Sequence, residues 1–119
     1  MKTILIVDDD ASMRLFERKV LLPGGYEILE AEDGATALEI AKAKIPDLII
    51  SDVMMDNVNG FMLVEYLRND PATEKIPMIL VTGQAQKAGM WSSDANIGYL
   101  RKPVSPNQFR DEVKKWIKS

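Results

Sequence analysis

Neither cysteine nor histidine occurs among the 119 residues of this chain. Without cysteine there is no disulfide framework and no thiol chemistry, which permits a reducing compartment. Without histidine the commonest general base and metal ligand are absent, so serine–histidine catalysis and most zinc sites are excluded. Any metal must then be a hard cation held by oxygen. An excess of positive charge is also lacking: 15 Lys and Arg against 18 Asp and Glu leave −3 at pH 7. That balance argues against direct contact with nucleic acid, which needs clustered cations opposite the phosphates. No apolar run reaches membrane-spanning length, and Met1-Lys2-Thr3 leads straight into an apolar strand rather than a leader, so no membrane association is expected. With 46% hydrophobic residues the chain can bury a core. The expectation is one cytoplasmic domain over residues 1–119 with no output domain attached.

What is present is a set of short apolar runs. Ile4-Leu5-Ile6-Val7, Leu48-Ile49-Ile50-Ser51 and Met78-Ile79-Leu80-Val81 have no polar alternation, so they read as strands covered on both faces. Tyr26 to Ala31, with Glu27 and Glu30, has the mixed polarity of an edge strand, and Ile97 to Leu100 is a shorter fifth. Helical spacing fills the intervals. Met13, Phe16 and Val20 form the inner face of a first helix capped by Asp10 or Ser12 and broken by Pro23-Gly24-Gly25. Asp33-Gly34 opens a second helix, Ala35 to Ala43, which Pro46 closes, and Met62, Leu63, Tyr66 and Leu67 belong to one that ends at Asp70-Pro71. Ser105-Pro106 caps the last, in which Phe109 and Trp116 are expected in the core. Such alternation predicts an α/β fold of the flavodoxin-like kind: a five-stranded parallel sheet of order 2-1-3-4-5 with five helices distributed over both faces.

The strand ends carry the chemistry. The first delivers Asp8-Asp9-Asp10, the third Asp52, the fourth Thr82-Gly83 and the fifth Arg101-Lys102-Pro103. In the expected order the first and third strands are neighbours at the switch point, where ligand sites of open sheets collect. A single aspartate there would most simply cap a turn, and acids at a helix start suit its dipole. Three together suggest a hard oxygen site suited to Mg²⁺. Lys102 adds a cation, Thr82 a hydroxyl and Gly83 an unobstructed N–H, all able to bind a phosphoryl group. With no base-activated Ser or Cys, a carboxylate becomes the candidate nucleophile, because aspartate can form an acyl phosphate. Two alternatives remain: an aspartyl-phosphate phosphatase or phosphotransferase, suggested by Asp8-x-Asp10, and an interaction module whose acids are only caps.

Taken together, Val7-Asp8-Asp9, Asp52, Thr82-Gly83 and Gly98-Tyr99-Leu100-Arg101-Lys102-Pro103 resemble the receiver domain of bacterial two-component response regulators, along essentially the whole chain. The resemblance implies a phosphoacceptor rather than an enzyme, one that promotes its own phosphorylation and dephosphorylation. Asp52 would take a phosphoryl group from the histidine of a sensor kinase or phosphotransfer protein. It implies Mg²⁺ held by Asp8, Asp9, Asp52 and the Met54 carbonyl, phosphoryl contacts from Lys102, Thr82 and Gly83, and a switch built from Thr82 and Tyr99. It further implies a cis Lys102-Pro103 bond and a downstream protein target docking on the fourth helix, fifth strand and fifth helix. The chain departs from the family pattern at Asp56, where a proline usually stands, at Ala95-Asn96, usually Gly-Ala, and in a short span between Thr82 and Lys102. That span holds Gly89, Ser92 and Ser93, so a marginal fourth helix is expected there.

Overall fold

The computed structural model describes residues 1–54, 59–83 and 96–117. The chain runs β1 (Thr3–Val7), α1 (Ala11–Leu21), β2 (Glu27–Ala31), α2 (Gly34–Lys44), β3 (Leu48–Asp52), α3 (Gly60–Arg68), β4 (Met78–Thr82), β5 (Ile97–Arg101) and α4 (Pro106–Trp116). All strand pairs are parallel and the sheet order is β2-β1-β3-β4-β5. Four α-helices lie among the described residues. The fifth expected helix, with Met90 and Trp91, falls in 84–95 and so outside them, as does Asp56.

Local chemistry sets the helix ends. Asp10 accepts from the Ser12 N–H at α1, Asp33 from Thr36 at α2 and Asn59 from Met62 at α3. Ser105 and Gln108 form a reciprocal capping box at α4, with Pro106 in the first turn. Each cap satisfies N–H groups that the helix itself cannot, worth about 1 kcal/mol. At the other end of α1 a 3₁₀ turn over Leu22–Gly24 closes on Gly25, whose φ of 78° is cheap only for glycine.

Strand alternation sorts the apolar residues into two cores. Leu5, Val7, Ile49, Met78 and Leu80 face α2 and α3, where Ala37, Ala41, Leu63, Val64 and Leu67 close over them. Ile4, Ile6, Leu48, Ile50, Ile79 and Val81 face α1 and α4, meeting Val20, Leu21, Phe109 and Val113. β3 and β4 are buried at every position, as their unbroken apolar runs imply, and each buried Leu or Ile contributes about 2 kcal/mol.

Three expectations need adjustment. β2 begins at Glu27, while Tyr26 packs beside the α1/α4 core before the ladder starts. Asp52 is itself the last residue of β3, paired with Val81, so the strand runs one residue beyond the apolar run that ends at Ser51. Phe109 is in the core, but Trp116 is only half-buried: it lies across Gly98, where a Cβ would collide with the indole, and donates its N–H to Glu112 at 2.8 Å. The Lys102-Pro103 peptide bond is cis. No described helix is long and apolar enough to cross a membrane.

Candidate functional site

β1 and β3 are neighbours in register, Val7 opposite Ser51, so the residues that follow those partners, Asp8 and Asp52, emerge side by side. Carboxylate oxygens of Asp8, Asp9 and Asp52 all lie within 4.8 Å of one another. Asp8 and Asp52 are buried while Asp9 is exposed, so the cluster opens to solvent through Asp9.

Each acid is held by its own surroundings. The Asp8 backbone extends the β1–β2 ladder by donating to Ala31 O at 3.1 Å, and one carboxylate oxygen accepts from the Asp10 N–H at 2.9 Å. Arg14 donates to the Asp8 carbonyl and pairs with Glu30 at 3.1 Å, which ties the start of α1 to β2. Asp52 accepts from the Met54 N–H at 3.3 Å through one oxygen and from Lys102 Nζ at 3.2 Å through the other. Lys102 is positioned by its backbone, which donates to Thr82 O at 2.9 Å and so joins the ends of β4 and β5. Thr82 is buried at the end of β4, with Gly83 next to it. Tyr99 is half-buried on β5 opposite Leu80, packed against the α2/α3 core. By strand alternation Thr82 and Tyr99 share a sheet face on adjacent strands. Met54 lies just beyond β3 with an exposed side chain.

The second oxygen of Asp8 is buried and has no hydrogen-bond partner among the described residues. Its carboxyl is pushed up from 3.8 to about 6: burial is the main cause, the charges of Asp52 and Asp9 add to it, and the Asp10 N–H and Lys102 oppose it. A buried acceptor left open beside two further carboxylates, with one lysine to offset them, suits a hard divalent cation, which would satisfy the oxygen and relieve the repulsion.

Two residues were not singled out by the sequence. Gly60, the first residue of α3, sits so close to β3 that an added Cβ would lie 2.8 Å from the Asp52 carbonyl and 2.9 Å from Val53 Cα. Only a residue without a side chain lets α3 start directly on the backbone of Asp52. The second is Glu17, buried on the inner side of α1. Its signal was its spacing, since position 17 falls within the apolar stripe of Met13, Val20 and Leu21.

A family model described as the response regulator receiver domain matches residues 4–114. The chain is 31% identical over 119 residues to the polar-differentiation response regulator DivK of Brucella anthropi, covering 98% of this chain and 96% of that one. It is 41% identical over 105 residues to the response regulator PleD of Caulobacter vibrioides, which covers 85% of this chain. The matched stretch spans only 23% of PleD. Among solved structures, the chemotaxis protein CheY4 of Vibrio cholerae superposes with a TM-score of 0.89 at 30% identity, over 98% of this chain and 99% of that one.

Proposed function

The chain belongs to the response regulator receiver domain family, and from that premise we propose that Asp52 is its phosphoacceptor and that Asp8, Asp9 and Lys102 prepare it for the transfer. The observation that carries this reading is the placement of Asp52: a buried carboxylate 3.2 Å from Lys102 and within a cluster of three acids. In the transfer, an Asp52 carboxylate oxygen forms a bond to phosphorus. The bond from phosphorus to the donor's imidazole nitrogen, or to the acetate oxygen of acetyl phosphate, breaks, and its electron pair leaves with the donor. Lys102 would pair with the incoming phosphoryl oxygens, and the Thr82 hydroxyl and Gly83 N–H would take others. Mg²⁺ is the cation best matched to so small a set of oxygen ligands; held by Asp8, Asp9, Asp52 and the Met54 carbonyl, it supplies positive charge against carboxylate and phosphoryl oxygens. The donor would be a histidine kinase or phosphotransfer protein. The signal would leave through β5 and α4, with Thr82 and Tyr99 changing position together; the fourth-helix part of that expected docking face falls in 84–95, outside the described residues. Incubation with acetyl phosphate tests the reading: label should appear at Asp52 only when Mg²⁺ is present and persist as a stable adduct. Turnover of a small phosphate ester without label would favour an enzyme, and no reaction an interaction module.

The charge cluster has a consequence for stability. Mg²⁺ at 100 times its dissociation constant should stabilise the domain by about 2.7 kcal/mol. Asp9→Asn should melt at a higher temperature than the parent in chelator, since it removes one of three mutually repelling charges, and should gain much less from Mg²⁺. Lower stability of the variant in chelator would count against the cluster.

Lifetime of the acyl phosphate depends on how water reaches it. Met54, two residues past Asp52, is apolar and cannot orient an attacking water; Gln84, the corresponding position after Thr82, lies outside the described residues. Slow self-dephosphorylation is therefore expected. Met54→Asn should shorten the half-life by roughly 3- to 10-fold, a modest effect for placing one polar group near a reacting water. Unchanged phosphate release would remove the side chain at 54 from the account.

A further inference from the structure

Beside Asp8 and Asp52, one more charged side chain is buried among the described residues: Glu17, only 2% exposed. One of its carboxyl oxygens has no hydrogen-bond partner among them, and no hydrogen bond or ion pair joins it to Asp8, Asp9 or Asp52. A buried carboxyl in this condition is costly, and an apolar side chain would fill the space between α1 and the sheet without that cost. Its position suggests a use. Strand alternation puts Asp52 on the face of β3 that α1 and α4 cover, the face shared by Leu48 and Ile50. Helical Cα–Cβ bonds tilt toward the helix N-terminus, and α1 begins immediately after Asp8-Asp9-Asp10, so Glu17 leans back toward the acidic pocket from beneath. The electrostatics agree with this placement. Burial is the largest cause holding the Glu17 carboxyl at about 8 instead of 4.5; Asp8 at the end of β1 and Asp52 at the end of β3 push it further up, and Lys102 after β5 opposes them. No charged side chain of α4 is among the groups that act on it.

We propose that Glu17 is the proton-bearing partner of the cation pocket: it stays protonated while Asp8, Asp9 and Asp52 hold no cation and releases its proton when they bind one. The inference rests on the reading of those three acids as the cation ligands. The same field that couples Glu17 to two carboxylates must couple it, with opposite sign, to a dication placed among them. Linkage makes the effect reciprocal, so raising the pH and ionising Glu17 tightens the cation. Glu17 would ligate nothing and would act only through the field.

Calorimetric titration of the whole chain with magnesium chloride is the test, run at pH 7.5 in two buffers of different ionisation enthalpy and repeated between pH 7 and 8.5. The parent should release roughly half a proton or more per Mg²⁺ and bind about fivefold more tightly at the upper pH. Asp8, at about 6, is already ionised through this range and contributes little. Glu17→Gln, a neutral isostere, should release close to none and vary less than about twofold in affinity over the same interval. Glu17→Leu should behave like Glu17→Gln, which keeps the conclusion testable if the amide disturbs the packing. Equal proton release by the parent and both variants would overturn the role of Glu17 while leaving the cation site intact. Absence of any Mg²⁺ binding by the parent would overturn the reading of the three acids, and this inference with it.

Discussion

Asp52→Asn should reduce labelling by acetyl phosphate by about 100-fold or more, because an amide has no carboxylate oxygen with which to attack phosphorus. The fold should survive the change. Asparagine keeps the shape, Asp52 sits at the end of a strand whose other side chains are all buried, and the substitution removes repulsion from Asp8. Lys102 loses its charged partner but remains a third exposed, so water can solvate it. The measurement is the amount and position of phosphate by mass spectrometry, with a circular dichroism melt as the folding control. A folded variant still labelled at the parental rate would rule out Asp52 as acceptor. A slow residual label on Asp8 or Asp9 would identify the next most reactive carboxylate in the cluster.

A second large effect concerns pH. In the folded chain Asp8 releases its proton near 6 and Glu17 near 8, against ordinary values of 3.8 and 4.5. Both values are raised, so between about pH 4 and 8 the folded state holds more protons than the unfolded chain, and stability falls as pH rises through that window. Above about 8 the loss is complete. This is opposite to the usual carboxylate paired with a cation, which stabilises more as pH rises. Glu17→Leu removes the larger contribution and fills the same space with apolar atoms, so it should stabilise the metal-free domain by about 2–4 kcal/mol at pH 8 and by much less at pH 5. Urea unfolding in chelator at the two pH values checks it. A gain that is equal at both would mean that packing, not charge, sets the cost of Glu17.

Much of this architecture is legible in the sequence because each element announces itself with more than one signal. The β1 and β3 runs are apolar without alternation, each is followed by an acid, and the helices between them carry caps at both Asp10 and Asp33. Strand order then follows from alternation, and with it the meeting of Asp8, Asp9 and Asp52. The misreadings have a common origin. Residue type sends Trp116 to the core and draws no attention to Glu17, whereas helix geometry places each by position. Position 17 points inward whatever occupies it. Position 116 lies at the last residue of α4, over the edge strand, where the cover is thin and Gly98 must make room. Gly60 escaped notice because close approach of two backbones leaves no periodic trace; the loop before it offers only a glycine after an asparagine, which reads equally well as an ordinary turn.

The register of β1 on β3 sets a dimension of the site. Asp8 and Asp52 follow directly on the paired residues Val7 and Ser51, so their separation is essentially the width of one rung of the sheet, about 4.8 Å. That width is a property of the peptide backbone, common to every sheet and untouched by side-chain substitution. Loops around the pocket can lengthen, shorten or change charge, and Asp9 can move with its own, but the two buried acids keep their gauge. Sequence drift in this chain can therefore retune what surrounds the pair, its depth, its wetness and its partners, while the calibration between them is inherited unchanged.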